Sequence, residues 1–215
     1  MPLMPGGLWV EMLFINYPAL LPLREDLSKA YHMLRKCVVA GAQIMVCGNG
    51  GSAADSEHIV GELMKGFWLR RPLSSEDRDK FREFPGGEEI AGKLQYGIRA
   101  ISLVSQSGLI SAFANDVDPD LVFAQQVFAY AQSKWDVLIA LTTSGNSQNV
   151  VNAAKTAKAA GIGVLSITGA SGGEIAAFSD AVIRLPKKTP AEVQELTLPV
   201  YHALCAMLEA DNFRE

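Results

Sequence analysis

Two short segments rich in glycine and hydroxyl side chains have the composition of loops that bind an anion or a polar sugar. The first reads CGNGGS at 47–52 and the second reads TTSGNS at 142–147. Glycine lets a backbone approach a ligand closely, and amides at a helix start bind phosphate oxygens together with nearby hydroxyl groups. Ser147 could simply cap its helix, but this would account for only one of four hydroxyl groups in the second segment.

The first segment also fits the looser GxGxxA spacing of a dinucleotide-binding turn, through Gly48, Gly50 and Ala53. That alternative requires an acidic residue at the end of a second strand about twenty residues later, and none stands there. The GK[ST] ending of a nucleotide-binding P-loop is also absent from the sequence. A nucleotide is therefore the weaker candidate ligand.

A histidine and a glutamate follow the first segment at helical spacing. His58 and Glu62 stand four residues apart and project from one face of a helix. Such a pair on its own is usually a surface contact. Gln194 and His202 lie on the last predicted helix, so two of the chain's three histidines belong to helices that could border one site.

Five short apolar or β-branched runs have the length of strands, at 43–47, 100–103, 137–141, 163–167 and 181–185. Helical spacing between them, notably at 121–131 and 147–160, predicts a parallel sheet covered by helices on both faces. Open sheets of this kind bind ligands at the carboxyl ends of their strands. The two glycine and hydroxyl segments should therefore face one crevice, with a sugar phosphate as the predicted ligand.

The regions that flank the sheet are predicted to be helical. Residues 17–40 form an amphipathic pattern, and residues 190–210 read as a long helix with Thr189 as its cap and Pro190 at its first position. Charged residues beside prolines and glycines at 68–97 indicate a solvated, partly helical insertion. We predict an N-terminal helical extension at 1–40 and one domain at 41–215 that contains this insertion.

Bulk properties exclude several classes of protein. A net charge of −4 over 215 residues provides no broad positive field for nucleic acid. The apolar N-terminal run is far shorter than the roughly 20 residues of a membrane span. Cys37, Cys47 and Cys205 form an odd set without CxxC spacing, which fits buried thiols in a reducing compartment. We expect a cytoplasmic protein that binds neither nucleic acid nor a membrane.

Five segments form a combination more specific than any single motif: GNGGSAADSEH at 48–58, AFAND at 112–116, TTSGNS at 142–147, ITGASGG at 167–173 and VQELTLPVYHALC at 193–205. In this order, over roughly 17–209 apart from 68–97, they resemble the phosphoheptose isomerases of the sugar isomerase (SIS) domain superfamily. The resemblance implies an α/β three-layer sandwich with a five-stranded parallel sheet, the SIS domain, plus an N-terminal helix. It also implies a homotetramer whose active sites are shared between subunits.

The resemblance further implies a reaction and residue roles. These enzymes convert sedoheptulose 7-phosphate into D-glycero-D-manno-heptose 7-phosphate, an aldose–ketose isomerisation through an enediol, commonly with bound zinc. Glu62 matches the family's catalytic base and His202 its acid. The positions that match zinc ligands are His58, Glu62, Gln194 and His202. The positions that match substrate contacts are Asn49, Gly50, Gly51, Ser52, Asn115, Asp116, Thr142, Thr143, Ser144, Ser147 and Gln194.

The distance between Gln194 and His202 along their helix limits how one chain could complete such a site. Gln194 and His202 are eight residues apart, about 12 Å along a straight helix. One metal ion could barely touch both from a single chain, so we expect different subunits to complete each site. The chain also departs from the family pattern at Gln106, Ala191 and Thr197, which replace a common aspartate, a polar or acidic residue and a frequent histidine. These departures leave the exact sugar open.

Two alternatives to this activity remain. A non-catalytic SIS protein would bind a phosphosugar as a regulatory signal, or a protein partner as the DnaA-associating relatives do. Those relatives have lost the acid and base positions, whereas this chain keeps Glu62 and His202. An isomerase of another sugar phosphate, such as a hexose phosphate or an amino-sugar phosphate, would use the same crevice. The insertion at 68–97 could reshape the pocket, form a lid, or serve as surface decoration or an oligomer contact.

Overall fold

A five-stranded parallel sheet forms the middle layer of the fold. The computed structural model describes residues 6–213, so positions 1–5 and 214–215 of the two predicted ranges lie outside the described residues. The strands are β1 (Ile44–Gly48), β2 (Ala100–Ser102), β3 (Val137–Thr142), β4 (Gly163–Thr168) and β5 (Ala181–Arg184). Their order is β2-β1-β3-β4-β5, with every neighbouring pair parallel. The predicted α/β fold is confirmed, and each strand end lies within one residue of its prediction.

Helices cover both faces of the sheet because each buried strand sends alternate side chains to opposite sides. Ile44 and Val46 of β1 join a core with α2 (Arg24–Val39), α3 (Gly51–Met64) and α9 (Pro190–Asn212). Met45 and Cys47 join a second core with α7 (Val122–Tyr130) and α8 (Gln148–Ala159). The result is a three-layer sandwich. Among the described helices, none combines the length and apolarity that crossing a bilayer requires.

The N-terminal region differs from its prediction. The amphipathic pattern at 17–40 begins with a 3-10 helix at Pro18–Leu23, and only then does α2 start. Pro18 and Pro22 explain the difference, because proline lacks the amide hydrogen that a continuous α-helix needs. Before this turn the apolar run forms a further helix, α1 (Gly6–Asn16), which packs against α9.

The long last helix begins as the sequence predicts, with Pro190 at its first turn and Thr189 in the capping position. The side chain of Thr189 makes no cap hydrogen bond to a backbone amide. Its hydroxyl donates instead to Glu192 Oε2 over 2.6 Å. Thr189 is therefore the cap residue by position, as predicted, while its side chain pairs with Glu192, a charged acceptor one turn along the helix.

The remaining helices lie outside the two main cores. The segment at 68–97 contains α4 (Ser75–Asp79) and α5 (Gly87–Lys93), and an antiparallel bridge joins Pro72 to Gln95 at its base. It is partly helical, as predicted. After β2, α6 (Ser107–Asp116) leads towards α7.

Candidate active site

The two glycine and hydroxyl segments meet at the carboxyl ends of neighbouring strands. β1 and β3 lie side by side with Gly48 in register with Leu141, and each segment begins where its strand ends. The side chains of Asn49 and Asn149 join the two segments through reciprocal amide hydrogen bonds of 2.8 and 3.0 Å. The predicted single crevice is therefore present in the fold, at the point where the strand order reverses direction.

Two glycines of the first segment lie in close contact with other parts of the chain. A Cβ on Gly48 would lie 2.7 Å from the backbone oxygen of Ser52, which is too close for any side chain. A Cβ on Gly51 would lie 2.5 Å from Nε2 of Gln194. The amide of Gln194 therefore lies directly against the start of α3, beside the buried Ser52.

The hydroxyl groups of the second segment are not used to cap α8. Ser147 occupies the N-cap position without a side-chain cap bond, and its Oγ lies 3.1 Å from Oγ1 of Thr142. Ser144 Oγ accepts a hydrogen bond from the amide of Asn146. The predicted capping alternative for Ser147 is therefore wrong. Two helix N-termini and several hydroxyl groups line this crevice, an arrangement that suits a phosphate. We call Asn49, Ser52, Thr142, Ser147 and Gln194 the crevice cluster.

A second group of side chains forms where the later turns of α3 meet α9. His58 Nε2 lies 3.2 Å from Glu62 Oε1 and 3.4 Å from His202 Nε2. Lys65 Nζ donates to the other carboxylate oxygen of Glu62 over 2.9 Å. The Glu62 side chain is 12% exposed, so a lysine holds a largely buried carboxylate that lies beside the imidazole of His58. We call His58, Glu62, Lys65, Tyr201 and His202 the histidine cluster.

A tyrosine orients the imidazole of His58. The Tyr201 hydroxyl lies 2.9 Å from His58 Nδ1 and donates to Asp55 Oδ1 over 3.2 Å. Because a hydroxyl has one proton, we assign Nδ1 of His58 as the donor to Tyr201. In a neutral ring this leaves Nε2 as an unprotonated nitrogen that faces Glu62 and His202. A lone pair opposite a carboxylate oxygen requires a proton or a cation between them.

The nitrogen and oxygen atoms of the histidine cluster decide whether its residues fit a metal ion. Within residues 6–213, no set of three or more His, Cys, Asp or Glu side chains is arranged to hold a metal ion. The donors of the histidine cluster meet only in pairs. Their types suit zinc, and two ligands on a tetrahedral zinc ion are about 3.4 Å apart, close to both distances from His58 Nε2. The donor types of the histidine cluster therefore fit a zinc ion. Gln194, the fourth position that matches a zinc ligand, lies instead in the crevice cluster of the same chain.

Burial shifts the pKa values of His202, Asp55 and Tyr201. Burial lowers the pKa of His202 below its usual value of 6.5, and the nearby His58 adds to this effect. Burial also raises the pKa of the Asp55 carboxyl group, although the hydrogen bond from Tyr201 lowers it. Burial and Asp55 raise the pKa of Tyr201. His202 is therefore a neutral imidazole at neutral pH, able to exchange a proton through Nε2.

The two clusters stay apart within one chain. Ser52 and Glu62 are ten residues apart on α3, about 15 Å, and Gln194 and His202 are eight apart on α9, about 12 Å. The helices run alongside each other in the same direction, since Gly51 meets Gln194 and His58 meets His202. The structure brings His58, Glu62 and His202 together, joins Thr142 to Ser147, and places Gln194 against Gly51, next to Ser52.

Asn115 and Asp116 belong to neither cluster in the single chain. Both are exposed at the end of α6, where the Asn115 amide donates to Asp116 Oδ1 over 2.8 Å. Within residues 6–213, no side-chain hydrogen bond joins them to either cluster. Thr143 and Ser144 line a cleft together with Gly169, Ala170 and Ser171.

The sequence analysis missed four residues in or in contact with these clusters, namely Asp55, Lys65, Asn149 and Tyr201. Asp55 precedes His58 by three residues and Lys65 follows Glu62 by three, so helical spacing could have indicated both. Asn149 and Tyr201 could not be identified from local spacing, because their positions in the site depend on tertiary contacts.

The chain is similar in sequence and in fold to known sugar-phosphate isomerases. The SIS domain family model matches residues 106–209. A phosphoheptose isomerase from Shewanella denitrificans is 33% identical over 194 residues, which cover 89% of this chain and 86% of that protein. The solved phosphoheptose isomerase of Neisseria gonorrhoeae superposes with a TM-score of 0.72 at 28% identity, covering 95% of this chain and 96% of that one. The Francisella tularensis enzyme gives 0.73 at 26% identity, with 90% of each chain covered.

Proposed function

Because the chain belongs to the phosphoheptose isomerase family, we propose that it interconverts sedoheptulose 7-phosphate and D-glycero-D-manno-heptose 7-phosphate. The protein is an aldose–ketose isomerase that acts on a sugar phosphate. The observation that carries the proposal is the single crevice in which Asn49 and Asn149 join the two hydroxyl and glycine segments. Such a crevice offers a phosphate two helix N-termini and several hydroxyl groups that do not cap α8.

The reaction moves a proton between adjacent carbons through an enediol, so it needs a base, an acid and stabilisation of an oxyanion. Glu62 is the proposed base. Its carboxylate accepts a hydrogen bond from Lys65, which fixes its direction beside His58. In the metal-free site His202 is the proposed acid, since a neutral imidazole can give a proton to the carbonyl oxygen and take one back at Nε2. Lys65 places a positive charge next to the developing oxyanion.

Zinc remains a proposed cofactor. His58, Glu62 and His202 would hold it within one cluster, and Gln194 would complete the set from another copy of the chain. When bound, the ion would polarise the substrate carbonyl. Tyr201 and Asp55 would support this role by presenting Nε2 of His58 for coordination.

We propose a homotetramer with shared sites, because the crevice cluster and the histidine cluster of one chain are about 12–15 Å apart along α3 and α9. The test is to co-express two inactive forms, Glu62→Gln and Gln194→Ala, with different tags. Mixed oligomers should regain turnover, because one copy's intact histidine cluster meets the other's intact crevice cluster. Isolated mixed oligomers without activity would show that each chain builds its own complete site.

Substrate identity is tested by assaying sedoheptulose 7-phosphate beside ketohexose and amino-sugar phosphates, with and without zinc. The heptulose should give the highest kcat/KM. A higher kcat/KM for a hexose phosphate or an amino-sugar phosphate would make that sugar the substrate of the same type of isomerisation. Tight phosphosugar binding without any turnover would indicate a regulator, which the retained Glu62 and His202 disfavour. Three buried free cysteines suit a reducing compartment, so the cytoplasm remains the proposed location.

A further inference from the structure

The base of the 68–97 insertion contains a buried arginine in a backbone conformation that side chains rarely adopt. Arg71 has a φ of +52°, and within residues 6–213, glycines aside, no other residue has a positive φ. Its side chain is 0% exposed, and the side chain of Glu209, with which it pairs, is 1% exposed. Strained backbone persists only where the surrounding contacts hold it, and it is common at functional sites. The proposed proton transfer has so far used neither residue.

The guanidinium group of Arg71 joins the end of α3 to α9. Its Nε donates to Glu209 Oε1 over 2.7 Å. Its Nη1 donates to the backbone oxygen of Leu63 over 2.7 Å, and its Nη2 donates to that of Glu62 over 3.3 Å. Both oxygens belong to the last turn of α3, where a helix leaves carbonyl groups without partners and favours a positive charge. Arg71 therefore caps α3 and contacts the main chain of the proposed base directly.

The chain returns from the insertion to the same turn of α3. The amide of Ile98 donates to Leu63 O over 2.9 Å, so this oxygen accepts hydrogen bonds from both ends of the insertion. A Cβ on Gly97 would lie 2.6 Å from Met64 O, so the returning strand of chain packs as closely as a glycine allows. The last turn of α3, which carries Glu62, is therefore held at its backbone from both ends of the insertion.

These contacts set the position of the base relative to the acid. Glu209 lies about two turns beyond His202 on α9, so Arg71 connects the backbone of Glu62 to the helix that carries His202. A displacement of about 1 Å at a reacting group can lower a rate by about a hundredfold. The placement of α3 against α9 is therefore part of what the proposed proton transfer requires.

We propose that Arg71 is a positioning residue for Glu62, which it holds through the main-chain oxygens of α3 and through Glu209 of α9. Because its side chain is fully buried, Arg71 acts through Glu62 and not on the substrate. This inference rests on the proposed function. It gives the base of the insertion a role in the reaction, rather than that of a lid or a surface decoration.

The test is Arg71→Lys, assayed for turnover of sedoheptulose 7-phosphate. Lysine keeps a positive charge beside Glu209, but one ammonium group does not reproduce the fork that reaches Glu209 and both backbone oxygens. We expect kcat to fall by about tenfold or more and KM to change by less than about threefold, since the phosphate contacts lie in the crevice cluster. Arg71→Met/Glu209→Leu removes both buried charges and should show the same split, which keeps the test decisive if Arg71→Lys does not fold.

A matched control separates positioning from stability. Asp136 is a buried charged residue just before β3, at the opposite end of the strands from the site, and its carboxylate accepts hydrogen bonds from three backbone amides. Asp136→Asn should destabilise the fold and leave kcat and KM of the folded protein unchanged. An equal fall in kcat in this control, at a folded fraction matched by circular dichroism, would overturn the proposal.

Glu62→Gln separates this inference from the proposed function. If Glu62→Gln abolishes turnover while both Arg71 variants keep the kcat of the parent, the positioning role fails and Glu62 remains the base. If Glu62→Gln keeps turnover, Glu62 is not the base and the positioning role is excluded with it. Loss of kcat in Glu62→Gln and in both Arg71 variants, with KM preserved and the Asp136 control active, is the result that we expect.

Discussion

Arg71 Nε donates to Glu209 Oε1 over 2.7 Å, and neither side chain is exposed to solvent by more than 1%. The same carboxylate accepts hydrogen bonds from the amides of Phe67 and Trp68, and the guanidinium also donates to Leu63 O. This buried pair therefore ties the end of α3, next to the base, to α9 two turns beyond His202. It fixes the backbone distance between the two proposed proton-transfer residues.

We predict that Glu209→Leu lowers the free energy of unfolding by about 3–5 kcal/mol, because it leaves the charge of Arg71 buried and unpaired. Urea denaturation measures the change. The double variant Arg71→Met/Glu209→Leu serves as the control and should lose less than the sum of the two single variants. Strictly additive losses would mean that the two charges do not stabilise each other.

The thiols provide a second prediction. Burial raises the pKa of Cys37, Cys47 and Cys205 to about 12 each. At pH 8 roughly one thiol in ten thousand would be ionised, so none should react quickly with a thiol reagent in the native protein. All three should react after unfolding in guanidinium chloride. A fast-reacting native thiol would contradict the burial of these side chains.

Gly51→Ala tests the contact between α3 and Gln194. The added methyl group would displace the Gln194 amide, whose Nε2 would lie 2.5 Å from it. We expect kcat/KM for the sugar phosphate to fall by about tenfold while the fold is kept, since a flexible side chain can move. Gly61→Ala is the control on the same helix. Its methyl group meets no atom within 4 Å, so it should leave the KM unchanged and stabilise α3 by about 0.5–1 kcal/mol.

The sheet could be predicted from the sequence because its strands are buried on both faces, and continuous apolar runs such as Val137–Thr142 mark them directly. The start of α2 was misplaced because the apolar spacing continues through Pro22, which interrupts the α-helical hydrogen bonds. Local spacing predicted the pair of His58 and Glu62. It could not predict that Tyr201 contacts His58, because this contact depends on how α9 packs against α3.

A fourth prediction concerns His202 in the metal-free protein. Burial lowers its pKa below 6.5 in the folded state, so the unfolded chain takes up the proton first as the pH falls. This group should therefore reduce the free energy of unfolding as the pH drops below about 6.5, and it should contribute nothing above pH 7.5. NMR titration of the ring proton should give a midpoint below 6.5. His202→Gln should remove this part of the pH dependence, and a midpoint above 6.5 would contradict the prediction.

Glu62→Gln is the sharpest test of the mechanism, because the substitution keeps the shape of the side chain and removes its basicity. Turnover of sedoheptulose 7-phosphate should be abolished, since an amide cannot take the proton from carbon. Affinity for the sugar phosphate should stay within about tenfold of the parent, because the phosphate contacts lie in the crevice cluster about 15 Å along α3. Rapid-quench assays and calorimetry measure the two quantities separately. Unchanged turnover would remove Glu62 from the mechanism, whereas loss of binding and turnover together would mean that its carboxylate holds the substrate.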